Sequence, residues 1–479
     1  MSFPLERFVL SSASPGVRRR AAIKDHTPMS LPVLDPLAAF VDVGSEHMHV
    51  SIAGGPPEVF GAMTGELHRL RDWLKERGVS SVAMEATGVY WLPLYGVLEE
   101  SGMRVLMVNG KHTRNVPGRK TDMQDCQWGA TLHAHGLLRG GFVPPAQIRQ
   151  LQDYLRLRDD HIGLAGSHVQ HMQKALERMN LKIHDVISNV VGASGLAVIK
   201  AILGGERNPE RLLAVCDVQI RKRKAEAMKE ALRGTWGEEH LFALKQALES
   251  WEHYRKQIEA CDKQIHEVLL RMQASMTPPE SQAQDGSPGE SARGESAPRK
   301  RAGINAPSIE GLEGLMKRLL GGKDLTVLPA CTSYSMLQLI GEVGLDLGKW
   351  RTAKHFTAWL GLAPGSYQSG KRNRGVGRKR NRAGRLLCVL ARSLVRSKDI
   401  ALGGFYRRMA ARRGGLIANI ATARKLGVLI WQAMVKGLDY VDEGLRRYET
   451  RVLETKQRTL RRMAKDLGME VTVPQNRAA

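Results

Sequence analysis

Aromatic residues, paired cysteines and long apolar runs are all scarce in this chain of 479 residues. Phe, Trp and Tyr make up only 5% of it, so its cores must be built mainly from Leu, Val, Ile, Ala and Met. The five cysteines are far apart and none stands in C-x-x-C spacing. Their spacing argues against zinc ribbons and a disulfide framework, and it favours a reducing cytoplasm. No apolar run approaches the roughly 18 residues of a membrane-spanning helix, so a membrane partner is not expected.

Acidic charge is also in short supply. The chain has 72 Lys and Arg against 48 Asp and Glu, a formal net charge of +24. Its pI is near 10.0. Such a balance says little about fold but indicates a polyanionic partner. Because no membrane segment is present, we expect that partner to be nucleic acid. The length is sufficient for two or three domains, each with its own core.

The densest basic stretch, 349–385, carries eleven Lys and Arg and no Asp or Glu. Four apolar residues precede most of these charges: Phe356, Trp359, Leu360 and Leu362. A solvated basic tail would not contain such a run, so we expect a folded wall that faces a polyanion. The cations expected to bind nucleic acid are Lys371, Arg372, Arg374, Arg378, Lys379 and Arg380.

Ser369 lies within this stretch, in Gln368-Ser369-Gly370. A serine hydroxyl becomes a nucleophile only where a base or a metal-rich site activates it and cations stabilise the transition state. Alternatively, a flexible Ser-Gly loop binds phosphate through its backbone N–H groups, and the hydroxyl is incidental. Ser366 and Tyr367 are competing hydroxyls. The residues alone leave these alternatives open.

Near the other end of the chain, short apolar runs alternate with helical patterns. Strands are predicted at 37–43, 47–52, 57–62, 81–85 and 104–108, and helices at 66–77, 94–99 and 122–138. An opening hairpin followed by alternation predicts a mixed α/β sheet in a ribonuclease-H-like (RuvC-like) arrangement.

Four carboxylates stand out on this scaffold: Asp42, Glu85, Asp122 and Asp125. Asp42 and Glu85 belong to predicted strands, whereas Asp122 and Asp125 are three residues apart at the head of a helix, on one face of it. Converging carboxylates repel one another unless divalent cations neutralise them, and Mg²⁺ prefers such oxygen ligands. Two Mg²⁺ ions would clamp the attacking and leaving oxygens of a phosphodiester. The plainer interpretation is that Asp122 and Asp125 merely cap their helix.

The middle third has heptad spacing. Apolar residues recur at four- and three-residue intervals over 151–179 and again over 244–272, with Arg158 as the one exception. These runs predict coiled-coil helices that pair within the chain or between chains. A helical insert, about 183–232, separates them. The stretch 277–307, rich in Pro, Ser, Gly and Glu, is typical of a linker.

The pattern predicts six regions. They are a flexible basic arm (1–35), a RuvC-like domain (36–145), a coiled coil with a helical insert (146–276), a linker (277–308), a mostly helical C-terminal domain (309–450) and a charged tail (451–479). Within the C-terminal domain, 325–344 suggests a helix–turn–helix element, and 386–396 and 420–437 suggest apolar-faced helices.

Five motifs carry a resemblance to a known family: VDVGSE around Asp42, MEATGVYW around Glu85, GRKTDMQD, FTAWLGLAPGSYQSGKRNRGVGRKRNRAG and FYRRMAARRGGLIANIATARKL. In this order they resemble the DEDD transposases of bacterial insertion sequences, the IS-one-ten and IS-eleven-eleven group. The resemblance spans all but the N-terminal arm. It implies a RuvC-like domain, a coiled coil and a C-terminal transposase domain with a serine nucleophile.

By this resemblance, Asp42, Glu85, Asp122 and Asp125 are the Mg²⁺-binding acids. Ser369 attacks DNA and forms a covalent phosphoserine link. A structured RNA from the element pairs with donor and target DNA, and the protein works as a homodimer or homotetramer through the coiled coil, near the bacterial nucleoid in the cytoplasm. The active site would combine the acids of one protomer with the serine of another. The residues leave two alternatives: a RuvC-like structure-selective endonuclease that uses water, and an inactive nucleic-acid-binding protein.

Overall fold

The computed structural model describes residues 31–85, 88–110, 121–276, 305–369, 372–376, 379–397 and 401–471. The chain divides into two compact units, Met1–Val143 and Pro144–Ala479. Most of the expected arm, 1–30, and most of the expected linker, 277–304, lie outside the described residues.

Unit 1 is built on a five-stranded mixed sheet. Its strands are β1 (Ala39–Val43), β2 (His47–Ile52), β3 (Glu58–Gly61), β4 (Ser81–Glu85) and β5 (Arg104–Val108), in the spatial order β3-β2-β1-β4-β5. The first three strands are antiparallel neighbours, whereas β1, β4 and β5 run parallel. The predicted mixed sheet is therefore confirmed, and its order is consistent with a ribonuclease-H-like fold.

Helices cover both faces of this sheet: α1 (Thr64–Glu76), α2 (Trp91–Glu100) and α3 (Asp122–Ala134). On one face, Val41 of β1 and Met84 of β4 share a core with the apolar sides of α1 and α2. On the other face, Phe40 and Ala83 pack with Cys126 and Ala130 of α3. Because side chains alternate along a strand, this division assigns each strand residue to one of the two helical layers.

In its described residues, unit 2 is built of helices and one hairpin. Its longest elements, α4 (Ala146–Arg178) and α10 (Glu238–Met276), lie antiparallel against each other. The two heptad stripes meet at this contact, with Leu151, Met172, Leu244 and Ile265 buried. The helices therefore pair within the chain, which is one of the two arrangements that the heptads allow.

Five short helices form the insert between them: α5 (Ile183–Val186), α6 (Ala193–Leu203), α7 (Pro209–Ala214), α8 (Val218–Arg223) and α9 (Ala225–Ala231). They share a core with the adjoining ends of α4 and α10, in which Met179, Leu181, Ile199 and Leu232 are buried. The insert is thus a folded part of unit 2.

The rest of unit 2 contains α11 (Leu312–Leu319), α12 (Ser333–Val343), α13 (Ala353–Trp359), β6 (Gly365–Ser369), β7 (Arg372–Val376), α14 (Arg382–Ser393), α15 (Leu402–Arg413), α16 (Gly415–Lys436) and α17 (Leu438–Asp466). The apolar-faced helices expected near 386–396 and 420–437 correspond to α14 and α16. The final charged helix extends through the predicted boundary at 450.

The helix–turn–helix expected at 325–344 is wrong in its first half. Leu325–Val327 makes only a single 3₁₀ turn, and the helix begins at Ser333. Thr332 caps that helix by accepting from the N–H of Ser335, and Ala330 adopts a positive φ of 64° in the approach. The turn at 330–332 interrupts the apolar run, so 325–344 contains one helix instead of two.

Within the described residues, no helix combines the length and the apolar character needed to cross a membrane.

Candidate active site

Asp42 and Glu85 stand at matching positions on neighbouring parallel strands. Val41 of β1 is in register with Met84 of β4, and each acid is the next residue along its strand. Asp42 follows Phe40 by two residues, and Glu85 follows Ala83 by two. Since Phe40 and Ala83 both face α3, alternation directs both acids to that same face. The two predicted acids therefore share one edge and one face of the sheet.

The carboxylate of Glu85 lies directly over Gly110, two residues beyond the end of β5. A Cβ atom at position 110 would come within 2.0 Å of Oε1 and 2.5 Å of Cδ of Glu85. A glycine at this position is what leaves room for the carboxylate. Gly110 thus helps to determine where Glu85 points, although it contributes no reactive group of its own.

Helix α3 is fixed to this face of the sheet by three contacts along its length. The thiol of Cys126 donates to the carbonyls of Phe40, at 3.3 Å, and His49, at 3.0 Å. One turn later Gly129 lies against the ring of Phe40, where a Cβ would be 2.5 Å from a ring carbon. Near the end of α3, His133 hydrogen-bonds Ser81 at 2.9 Å.

These contacts determine the direction of the helix. Ser81 begins β4, and it meets the C-terminal end of α3. Cys126, near the N-terminal end, lies beside His49, which is the register partner of Asp42. Helix α3 therefore runs antiparallel to β4, and its N-terminus lies at the edge of the sheet where Asp42 and Glu85 stand.

Asp122 and Asp125 occupy the first turn of α3, after an N-cap in which Thr121 accepts from the N–H of Gln124. Asp122 is exposed and Asp125 is half-buried. Negative charge is stabilised at a helix N-terminus, so two carboxylates are tolerated here. All four predicted acids consequently lie at one edge of unit 1.

The thiol of Cys126 has a raised pKa because it is buried beside Asp42. Burial raises the pKa of the thiol to about 12, and the negative charge of Asp42 acts in the same direction. The thiol therefore stays protonated and acts as a hydrogen-bond donor that holds α3 in place, because a thiolate beside Asp42 would be strongly disfavoured.

The donor set suits Mg²⁺ in kind, because it consists of carboxylate oxygens only. The positions of these donors, however, do not yet form a complete metal site. Among the residues that the structure describes, no three His, Cys, Asp or Glu side chains are gathered closely enough to hold a metal ion. The acids share an edge without converging on one point, so a metal-bound form would need them closer together. The predicted metal site accordingly stays a prediction.

The basic stretch forms a β-hairpin in unit 2. Strands β6 and β7 are antiparallel, and Ser369 is the last residue of β6, in register with Arg372. Ser366 pairs with Gly375 and Tyr367 with Arg374. The expected Ser-Gly turn is thus a strand end followed by Gly370 and Lys371, which lie outside the described residues.

Close contacts between the residues before and after this hairpin fix its base. Gly361, with a φ of +72°, lies so close to Lys379 and Arg380 that a Cβ would be 2.6 Å from the carbonyl oxygen of Lys379. Asn381 caps α14 by accepting from the N–H of Gly384, and its side-chain amide donates to the carbonyl of Trp359 at 3.1 Å. These contacts join the end of α13 to the start of α14 across the hairpin.

The apolar run before the charges is a folded core, as expected. Phe356, Leu360 and Leu362 are buried. The ring centroid of Trp350 lies 4.9 Å from those of both Phe356 and Trp359. An aromatic cluster therefore anchors α13, the helix that precedes the hairpin.

The six predicted nucleic-acid-binding cations are described to different extents. Arg372 and Arg374 belong to β7, Lys379 is exposed and Arg380 is half-buried. Lys371 and Arg378 lie outside the described residues. Two of the described cations thus belong to the hairpin that carries Ser369, and the other two follow it along the chain.

Two family models match the chain in the order of its motifs. A model described as a DEDD transposase matches residues 41–181, which include the four acids. A second model, described as the transposase IS116/IS110/IS902 family, matches residues 323–407, which include Ser369. The chain belongs to the IS110 family of transposases. It is therefore an enzyme that acts on DNA, and the expected family and activity class are confirmed. A search among curated proteins found no match.

Three residues that sequence reasoning missed shape the acid edge of this transposase: Gly110, Cys126 and Gly129. Cys126 and Gly129 are one helical turn apart, immediately after Asp125, on the side of α3 that faces the sheet. Small residues at that spacing are a signal of close helix–sheet packing. Gly110 offers no such signal, because its importance depends on a carboxylate that is 25 positions away in sequence.

Proposed function

We propose that this transposase cuts and rejoins DNA through a covalent phosphoserine intermediate, with Ser369 as the nucleophile. Support comes from the position of Ser369 at a strand end, in a hairpin with its base locked and with cations on both sides. The stretch 349–385 contains no carboxylate that would repel a phosphodiester. The cations flanking the hairpin are suited to stabilising the charge on a pentacovalent phosphate.

The proposed reaction is a pair of transesterifications. In the first, the Oγ of Ser369 forms a bond to phosphorus and the bond from phosphorus to the leaving oxygen of the strand breaks. The serine gives up its proton, and the leaving oxygen takes one up. In the second, a strand hydroxyl attacks the phosphoserine and releases Ser369. One phosphoester bond is formed for each one broken, so no oxidant or nucleotide cofactor is required.

Asp42, Glu85, Asp122 and Asp125 are the residues that would hold two Mg²⁺ ions. When bound, the metal would supply charge neutralisation for the phosphate oxygens. The parallel strands of unit 1 bring two of the acids to the sheet edge, and the N-terminal turn of α3 brings the other two.

The partners proposed for the transposase are donor DNA, target DNA and a structured guide RNA encoded by the element. Its net charge of +24 suits several polyanionic partners at once. A homodimer or homotetramer is also proposed. Because the heptad stripes of α4 and α10 face each other within the chain, contacts between protomers through this helical pair would use its outer surfaces.

Trapping by denaturation tests the nucleophile. Purified full-length transposase is incubated with Mg²⁺, a labelled DNA spanning an end of the element, and the transcript of the adjoining non-coding segment. A denaturing gel then resolves protein–DNA adducts. We expect an adduct with the wild type and with Ser366→Ala, and none with Ser369→Ala. An adduct that survives Ser369→Ala would refute the assignment.

The same gel separates the alternatives. Strand cleavage without an adduct would indicate an endonuclease that uses water. Tight binding without cleavage, under every metal and RNA condition, would indicate an inactive nucleic-acid-binding protein. For the metal ligands, Asp42→Asn and Asp122→Asn should abolish cleavage, whereas the exposed surface change Asp72→Asn should preserve it. Omitting the transcript should abolish cleavage only if RNA guides the enzyme.

A further inference from the structure

A groove runs along the pair formed by α4 and α10, beside the helical insert. It has a cavity of about 410 Å³. Its rims carry His171, Lys174 and Arg178 from α4, and Phe242 and Gln246 from α10. Because the two helices are antiparallel, the three basic residues face the polar and aromatic ones across the groove. Its α10 side lies between the two family-model matches, whereas its α4 side lies within the first of them.

Small side chains open this groove. Ala175 and Ala247, both buried, line the groove between the two helices, and Ala243 also lines it. Alanine fills little of the space between two helices, so the longer side chains to either side become walls. The floor is apolar and the walls are polar and aromatic, a combination typical of ligand sites.

The charge of the groove is of one sign. No Asp or Glu lines it among the described residues. Nearby Glu177 is paired with Lys182 and His184, away from the groove. No ion pair between described residues involves Lys174 or Arg178, and both are exposed. The two side chains are thus attached about 6 Å apart along α4, given the rise of a helix per residue, and neither is paired with a carboxylate of the described residues.

An exposed aromatic ring stands on the opposite wall. Phe242 is 66% exposed, which is unusual for its size, and it lies on a well-packed helix rather than in a loop. At the end of the groove away from Arg178, the ring of His168 stacks on Tyr254, beyond the groove lining, with 5.6 Å between centroids, and His171 meets His168 edge-on at 5.5 Å. The groove therefore has flat faces as well as positive charge.

We propose that this groove binds single-stranded nucleic acid, with phosphates on Lys174 and Arg178 and a base stacked on Phe242. Cations that follow the backbone, together with aromatic rings that accept bases, are the combination that binds single strands without sequence preference. A duplex offers the phosphates but keeps the faces of its bases stacked inside. Gln246 and Ser250 supply additional hydrogen-bonding groups for base edges or sugars. Unpaired RNA and unpaired DNA offer the same chemistry.

Binding is measured on the full-length transposase by fluorescence anisotropy, with labelled oligo(U), oligo(dT) and a duplex of equal length. Phe242→Ala should weaken the binding of at least one single strand about fivefold or more, which corresponds to the lower end of the free energy of base–aromatic stacking. Its affinity for the duplex should be unchanged. Leu270→Ala, which removes another exposed apolar side chain of α10, is the matched control and should bind as the wild type does. The single strand that responds more identifies RNA or DNA as the ligand.

The cations are tested by salt dependence. Lys174→Gln with Arg178→Gln should reduce the slope of log K against log salt by about 1.4, two phosphates' worth for a single strand. The control is Lys256→Gln with Lys263→Gln, which removes the same charge from exposed positions of α10 outside the groove. Circular dichroism and thermal melting show that each variant is folded.

Position is tested by photocrosslinking with oligonucleotides that carry 5-bromouracil or 4-thiouridine, followed by peptide mapping. We expect a crosslinked peptide that contains Phe242. Three results would each overturn the proposal: equal losses in the Lys174/Arg178 variant and in the Lys256/Lys263 control, no effect of Phe242→Ala, or crosslinks confined to other regions. These measurements need no cleavage, so failure of the serine mechanism would leave them unaffected.

Discussion

Arg158 and Asp262 form an ion pair in the interior of unit 2, with 2.5 Å between Nε and Oδ1 and side chains that are 1% and 5% exposed. Arg158 also donates to the carbonyl of Asn305 and the hydroxyl of Tyr334, each at 2.9 Å. Asp262 accepts from the N–H of Ser308 at 3.0 Å. The one charged residue in the heptad stripe of α4 therefore joins α4, α10, the segment that contains Asn305 and Ser308, and α12.

Removing one member of this pair should be far more costly than removing both. Asp262→Ala leaves the guanidinium buried without its carboxylate, so we expect a loss of about 3–5 kcal/mol in the free energy of unfolding. Arg158→Leu combined with Asp262→Leu should lose clearly less than the sum of the single changes. Urea unfolding measures all three variants.

The matched control for the pair is Lys245→Ala with Glu249→Ala, an exposed pair of α10 separated by 3.9 Å. It should change stability by less than about 1 kcal/mol. If Asp262→Ala proves as mild as this control, the buried pair does not hold the domain together as described.

Gly110→Ala should lower DNA cleavage without unfolding the protein. The new methyl group would overlap the carboxylate of Glu85, and the flexible end of that side chain would move away from the acid edge. We expect a loss of about tenfold or more, since misplacing a reacting group by about 1 Å costs up to 10²-fold. Rates of cleavage and thermal melting are measured together.

Gly96→Ala is the control for that change, because a Cβ at position 96 meets nothing within 4 Å. It should leave cleavage as in the wild type. Wild-type cleavage by Gly110→Ala would mean that the position of Glu85 over Gly110 is unimportant for catalysis.

Gly129→Val should detach α3 from the sheet and be partly rescued by a smaller residue at position 40. A Cβ at 129 would lie 2.5–2.7 Å from three atoms of the Phe40 ring, which is buried and cannot swing aside. Overpacking of this kind costs about 1–3 kcal/mol. Phe40→Ala combined with Gly129→Val should regain part of the stability that Gly129→Val loses, as measured by urea unfolding. A double variant less stable than either single change would refute direct contact as the cause.

Lys349 should give the transposase a distinct pH dependence of stability. Burial lowers the pKa of its ammonium group to about 8, from 10.5, although Asp346 acts in the opposite direction. Between these values the unfolded chain keeps a proton that the folded chain has lost, so the free energy of unfolding rises with pH. Because the Lys349 ammonium group is only partly desolvated and the residue as a whole is exposed, we expect a rise of about 1–2 kcal/mol rather than the full value of the shift.

The measurement is urea unfolding at several pH values from 7 to 10.5. Lys349→Met should lack this part of the rise, and all other titrating groups cancel in the comparison. The exposed control Lys354→Met should follow the wild-type profile. Parallel profiles for wild type and Lys349→Met would contradict the lowered pKa.

Local patterns predicted most of the individual elements. Alternation and flanking turn residues were enough for the strands that carry Asp42 and Glu85, because each strand is bounded by its own Pro or Gly. Heptad spacing was enough for α4 and α10. A helix–turn–helix at 325–344 was predicted wrongly, since an apolar run does not reveal that Ala330 takes a positive φ and that Thr332 starts a new helix.

The sequence by itself determined the transposase family, the four candidate acids, the basic stretch that contains Ser369 and the two heptad stripes, because each depends on residue types at short, regular spacing. Tertiary structure alone decided that the two stripes pair within the chain, that Arg158 meets Asp262 across 104 positions, and that Gly110 and Gly129 shape the acid edge. The physical reason is the same in each case. A buried charge, a close approach to glycine or a groove floored by alanine acquires its meaning from atoms that are distant in sequence, and only folding brings those atoms together.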